Sequence, residues 1–239
     1  MEVEKTRTPH SRGKRLVMLA IDKGGAGKSF FCVRLMEWLK EIGQRAVAFD
    51  PDFTNSTLTR FYPDAKFLDM RHSENLDHII EMFQEEDLIV VDGVGAQQHV
   101  FLNWMEETRL LEIGREIDLS VTLVLIIEED KDTVFQSGEA VRRVGTAADW
   151  LVVRNLKLCE RTRIYDRSEA RKELLRANAQ EMVMQKLPED LMHDIQSRSM
   201  TIDRILTEGS LFLLDRQRLV QYRRALSEQF SKVRSILIP

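Results

Sequence analysis

The segment Asp22-Lys23-Gly24-Gly25-Ala26-Gly27-Lys28-Ser29 limits the fold of this chain more than any other stretch. It follows an unbroken apolar run, Leu16-Val17-Met18-Leu19-Ala20-Ile21. It precedes FFCVRLMEWLKEI, whose apolar residues recur at helical spacing until Gly43 offers a stop. A glycine-rich turn between a buried strand and a helix is suited to cradle phosphate. Without Cβ atoms, successive backbone N–H groups can turn inward, and the positive end of the helix lies behind them. Lys28 would then supply a mobile charge for the β and γ phosphates, and Ser29 a hydroxyl for Mg²⁺. The common pattern GxxxxGK[ST] fails here, because Asp22 stands where its first glycine belongs. The variant KGGxGK[ST] fits, and it carries an additional lysine, Lys23. The expected nucleotide-binding residues are therefore Lys23, Gly24, Gly25, Ala26, Gly27, Lys28, Ser29 and Phe30; the alternative is a glycine turn without a ligand.

The rest of the chain repeats the same grammar. Apolar runs at 46–49, 88–91, 121–127 and 150–153 alternate with helical patterns at 76–83, 98–115 and 132–144. Short strands are expected at 66–70 and 182–184, with the remainder mostly helical. Continuous apolar strands alternating with helices predict an α/β fold of three layers, a mostly parallel sheet with helices on both faces. No repeat or Gly/Pro-rich linker interrupts the pattern, so residues 15–239 read as one P-loop domain behind a polar arm at 1–14.

Such a sheet places ligands at the carboxyl ends of its strands, and acidic residues fall there. Asp50 and Asp52 end the second strand; Asp92 ends the strand LIVV, as a Walker B aspartate does, and could hold a Mg²⁺-bound water. Aspartates at strand ends also satisfy turns, which is the competing reading for Asp50. Asn155, after LVVR, has the same ambiguity. Cys32 and Cys159 are far apart and suggest neither a disulfide framework nor a CxxC zinc site. Cys32, Met182 and Met184 read as core, and His10, His72, His78, His99 and His193 have no ligand spacing.

KGGAGKS resembles the deviant Walker A loop of the ParA/MinD group of P-loop ATPases. The resemblance implies a MgATP-dependent homodimer in which Lys23 reaches the partner's nucleotide. It implies that Asp52, in a DxD at the first switch followed by Asn55, Ser56 and Thr57, orients the attacking water or a metal-bound water. It makes Lys23, Lys28 and Asp52 the catalytic set, and Ser29, Asp52 and Asp92 the metal set. Gly95 in the second switch would offer a backbone N–H near the γ phosphate, and Asn155 would contact adenine. DGVG departs from the family's commoner DTPPG-like form. The order KGGAGKS, FDPDFTNST, VVDGVGAQ, FLNWMEETRLLEIGREI and EGSLFLLDRQRLVQYRRAL also looks like the TraL-type accessory ATPases of plasmid conjugation, implying a role and partners in DNA transfer or partition. Two other readings stay open: a metabolic ligase of the dethiobiotin synthetase type, and an adaptor that binds nucleotide without hydrolysing it. ATP is not separated from GTP by the sequence.

Charge divides unevenly. The net charge of −4 is the sum of −10 over residues 1–139 and +6 over 140–239. The basic half suggests non-specific contact with DNA phosphates, or simply a solvated face. Apolar residues from Leu211 to Leu237 follow helical spacing and are accompanied by six basic residues. That segment could pack on the sheet, meet DNA, or lie on a membrane through its SILIP ending. The start of the chain lacks a secretory signal and no apolar run spans a bilayer, so a cytoplasmic location is expected.

Overall fold

The computed structural model describes residues 13–52, 56–93 and 98–239. The apolar runs form strands and the periodic segments between them form helices. The first half contains β1 (Lys14–Leu19), α1 (Lys28–Glu41), β2 (Val47–Asp50), α2 (Thr57–Phe61), β3 (Lys66–Phe67), α3 (Asp77–Met82) and β4 (Leu88–Val91). After them come α4 (Gln98–Glu107), α5 (Leu110–Glu116), β5 (Leu119–Ile127), α6 (Lys131–Val144) and β6 (Asp149–Asn155). The chain closes with α7 (Arg163–Asp166), α8 (Glu169–Arg176), β7 (Gln180–Met184), α9 (Glu189–Arg198), α10 (Ile202–Glu208) and α11 (Leu213–Lys232).

All seven strands pair in parallel, in the order β3-β2-β4-β1-β5-β6-β7. Alternate residues of each strand point to opposite faces, which is why the strands are apolar throughout rather than at every second position. One face carries Leu16, Met18, Ile89, Val91, Leu123 and Leu125, and its core extends to Phe101 and Trp104 of α4 and Val141 of α6. The other carries Val17, Leu19, Val90, Val124 and Val153, continuous with Phe31 and Leu35 of α1 and Phe230 of α11. Three layers result, as expected. β1 lies in the middle, and the chain leaves it first toward β2 and later toward β5, so the crevice at its carboxyl end is the topological switch point.

Several boundaries differ from expectation, each for a local reason. β3 is two residues long instead of five, because Asp69 accepts from the backbone N–H of Arg71 and bonds its guanidinium, turning the chain. The single helix expected over 98–115 is broken. The hydroxyl of Thr108 bonds the carbonyl of Trp104, and Arg109 adopts a left-handed φ of 52° before α5 starts. Lys14 belongs to β1 and not to a preceding arm.

The basic C-terminal segment packs on the domain. α11 buries Leu219, Tyr222, Leu226 and Phe230, and the Phe230 ring lies 5.3 Å from Trp38 and 5.6 Å from Phe31. The tail folds under the sheet: Ile236 and Leu237 are buried, and Arg15 donates to the Ile236 carbonyl at 3.3 Å. Ile236 and Leu237 of the SILIP ending are therefore part of the core. Among the described residues no helix is long and apolar enough to cross a membrane.

Candidate nucleotide-binding site

The glycine-rich loop wraps the end of β1 in the manner its residues dictate. Gly25 and Gly27 take φ values of 74° and 97°, in the left-handed region that disfavours side chains. Gly27 has a second constraint, since a Cβ there would stand 2.8 Å from the Asn155 amide nitrogen. Lys28 opens α1 and is buried; its ammonium donates to the carbonyl of Lys23 at 2.7 Å, folding the lysine back along the loop. Burial lowers its pKa, opposed by the nearby charges of Asp92, Asp22 and Asp52.

Asp22, which replaces the first glycine of the common pattern, ties the loop to its neighbours. Its carboxylate accepts from the Gln98 backbone N–H at 2.5 Å, and its own N–H donates to the Gln136 side chain at 3.2 Å. The start of α4 is thereby fixed to the loop.

Asp92 lies buried at the end of β4. Its carboxyl accepts from the Ser29 hydroxyl and, at 2.8 Å, from the Gly93 N–H, yet burial outweighs both bonds and pushes its pKa up to about 7. Of the three residues expected to form the metal set, Ser29 and Asp92 are thus already in contact. Among the described residues no group of three or more His, Cys, Asp or Glu could hold a metal alone. The donor set fits a Mg²⁺ completed by phosphate oxygens and water. Cys32 is buried nearby, and its thiol is pushed well up by burial and then by Asp92, so it is an inert core residue.

The two aspartates after β2 separate in role. Asp50 is buried and accepts from the Thr59 N–H at 2.8 Å, the Thr59 hydroxyl at 2.9 Å and the Asp52 N–H at 3.1 Å. It anchors the turn and α2, as strand-end aspartates do. Asp52 is only half-buried, and its carbonyl accepts from the Ser56 hydroxyl at 2.8 Å. Asn55 and Gly95 lie outside the described residues.

The Lys23 ammonium is engaged outside the glycine-rich loop. It sits 3.0 Å from Asp130 and 3.5 Å from Asp132 at the start of α6, and the hydrogen bond to Asp130 is the main reason its pKa is raised. Asn155 is buried against the loop, donating to the Ala26 carbonyl at 2.8 Å and accepting from the Lys157 N–H at 3.2 Å. Lys157 also donates to the Gly25 carbonyl and pairs with Glu128 at 2.8 Å.

Beside these residues opens a cleft of about 320 Å³, lined by Gly27, Phe30, Asn155, Leu158, Met184 and Met192 among others. Its size and mostly apolar wall suit a nucleoside. Met184 is both core, as expected, and wall. Sequence reasoning missed Leu158, Lys157, Asp130 and Gly93. A Cβ at Gly93 would lie 2.8 Å from the Leu19 carbonyl oxygen and 3.0 Å from the Lys28 side chain, so glycine is what lets β4 approach the loop lysine. A glycine directly after a strand-end aspartate was a legible signal; the others depend on loops meeting in space.

The parallel sheet, strand–loop–helix cradle and strand-end aspartates together define a P-loop nucleotide-binding protein. The family model described as the CobQ/CobB/MinD/ParA nucleotide binding domain matches residues 17–237, and the chain belongs to that family. It is 24% identical over 204 residues to the protein MobD of Acidithiobacillus ferrooxidans, covering 82% of this chain and 88% of the relative. It is 24% identical over 240 residues to the protein TraL of Escherichia coli, covering 90% and 96% respectively. Its fold is similar to that of the MinD cell division protein of Aquifex aeolicus, with a TM-score of 0.50 at 12% identity over 90% of this chain and 97% of that one. A nucleotide-binding protein of Archaeoglobus fulgidus, solved in complex with ADP, also has a TM-score of 0.50, at 15% identity over 78% and 88%.

Proposed function

We propose that this chain is a MgATP-dependent dimeric switch of the ParA/MinD kind that hydrolyses ATP slowly and acts in plasmid DNA transfer or partition. The observation that carries this reading is the division of labour between two lysines. Lys28 folds back along the glycine-rich loop, whereas the Lys23 ammonium is held by Asp130 and Asp132 beside it and is left out of the loop's own hydrogen bonds. A lysine in that position serves a second molecule's phosphates better than its own.

In this reading residues 15–239 act as one ATPase domain. The backbone of Gly24 to Gly27 and the start of α1 bind the phosphates, with Lys28 compensating charge on the β and γ groups. Ser29 and Asp92 hold Mg²⁺, which when bound neutralises charge on the phosphates. Asp52 orients the attacking water, and Lys23 stabilises charge on the partner subunit's nucleotide. Phe30 and Asn155 flank the base, with Gly95 and Asn55 contributing from the switch segments. Asn155 keeps one N–H and part of its oxygen's capacity beyond its bonds to the loop, enough to meet a purine edge.

The similarity to MobD and TraL, and the order of segments along the chain, support the link to DNA transfer. The +6 charge of residues 140–239 supports a salt-dependent, sequence-independent contact with DNA. The decisive test is steady-state ATPase activity with nucleotide binding measured in parallel. Asp52→Ala should lose about 10²-fold or more in turnover while binding is retained. Wild-type protein that binds MgATP without turning it over would instead make it an adaptor.

A further inference from the structure

The glycine-rich loop is gripped by its carbonyls. In a planar trans peptide the C=O of one residue and the N–H of the next point in opposite directions, so a contact that fixes a carbonyl also aims the following N–H. The Lys23 carbonyl accepts from the Lys28 ammonium at 2.7 Å, the Gly25 carbonyl from the Lys157 ammonium, and the Ala26 carbonyl from the Asn155 amide at 2.8 Å. The N–H groups of Gly24, Ala26 and Gly27 are thereby turned the other way. A phosphate cradle consists of such N–H groups, aimed before the anion arrives. Gly25 most needs a fixed carbonyl. Its φ is 74°, and a Cβ there would meet nothing within 4 Å, so no packing around the residue holds its conformation.

Lys157 reaches Gly25 from the loop after β6, and its charge is balanced from a third loop. Its ammonium lies 2.8 Å from a carboxylate oxygen of Glu128, the residue that follows β5. An ammonium carries three donors, so it can serve a carbonyl and a carboxylate together, and a charged donor makes the stronger bond. One side chain therefore joins the loops that follow β1, β5 and β6. Among the described residues Glu128 has no other ion pair. The loop after β6 also supplies Asn155 and Leu158 to the wall of the nucleoside-sized cleft, with Lys157 itself lining it. Lys157 is thus placed where the cleft and the phosphate loop meet.

We propose that Lys157 is a positioning residue of the nucleotide site: it holds the Gly25 carbonyl so that the Ala26 N–H faces the β phosphate, while Glu128 holds the ammonium in place. The proposal rests on the nucleotide reading of the loop and adds two residues to it. Lys157 acts through the backbone and not by its own charge on the phosphates, because that charge is engaged by Glu128. The two modes differ in sign when Glu128 is neutralised. A positioning lysine loses its support, whereas a lysine acting on phosphate directly is released to do so.

The test is binding of ADP and of AMP to the full-length protein, each measured by competition against a fluorescent ADP analogue. Lys157→Met should weaken ADP about tenfold or more, the loss expected for one bond from a charged donor. AMP has no β phosphate, so its affinity should change by less than about twofold in the same variant. Lys157→Arg keeps a charged donor of similar reach and should recover most of the loss for ADP. Glu128→Gln should weaken ADP severalfold. Equal losses for ADP and AMP, unchanged ADP binding in Lys157→Met, or tighter ADP binding in Glu128→Gln each overturns the proposal. Wild-type protein that binds neither ADP nor ATP removes the nucleotide reading and this proposal together. Wild-type binding that Lys157→Met leaves intact removes the positioning role alone.

Discussion

Asp92 sits at the carboxyl end of β4, almost wholly buried, with its carboxyl raised from 3.8 to about 7 by that burial. A carboxyl held above its ordinary value stabilises the fold fully below that value, and the contribution is lost as pH rises through 7. Without nucleotide, wild type should therefore lose stability relative to Asp92→Asn between about pH 4 and 7. At pH 8 the asparagine variant should be the more stable by about 1–3 kcal/mol in urea unfolding, because a buried carboxylate has been removed and the bonds from Ser29 and Gly93 can be kept. The same variant should bind nucleotide without benefit from Mg²⁺. Gly93 makes a complementary prediction. Gly93→Ala places a methyl group against the Leu19 carbonyl and the Lys28 stem, so nucleotide affinity should fall about tenfold or more in a fluorescent-nucleotide titration, with the circular dichroism spectrum unchanged.

Between elements, the contact that most concerns the site is that of α1 with α10 and α11, since α1 begins at the phosphate loop. Arg34 of α1 is buried there, its Nη1 3.0 Å from the Glu37 carboxylate and its guanidinium carbon 5.1 Å from the Phe30 ring centre. Its N–H groups make no aligned hydrogen bond, and Trp38 Nε1 and Tyr222 Oη beside it are equally unsatisfied. Burial lowers the Arg34 pKa and raises that of Glu37. Breaking such a pair costs more than replacing it. Arg34→Ala should destabilise the protein by about 3–5 kcal/mol in urea unfolding, and Arg34→Met with Glu37→Met should recover most of that loss. Helical periodicity could place α11 from its apolar residues, yet it gave no hint that this helix would close over a buried arginine. A basic, polar-looking stretch becomes half core because the sheet edge at β7 needs covering.

For the molecule as a whole, the dimer reading makes one clear demand. With MgATP, light scattering should report a rise toward twice the 27.9 kDa chain mass, and Lys23→Ala should remain monomeric while still binding nucleotide. A Lys23→Ala protein that dimerised normally would remove the role assigned to that lysine. Much of this arrangement was legible beforehand, for a physical reason. Parallel strands are buried on both faces and therefore read as continuous apolar runs, and a phosphate cradle needs glycines and a lysine within one short loop. The fold class, the loop from Lys23 to Ser29 and the strand-end positions of Asp52, Asp92 and Asn155 all followed from local sequence. Tertiary structure decided what depends on segments far apart in the chain. It paired Lys23 with Asp130, turned Asp50 into an anchor for α2, set Asp22 against Gln98, and walled the cleft beside the loop with Leu158 and Met184. It also sank Ile236 and Leu237 under Arg15 while leaving Phe212 to Leu214 in solvent. Apolar residues at both ends of the last helix look alike in sequence; which end is buried depends on where the sheet offers a surface to cover it.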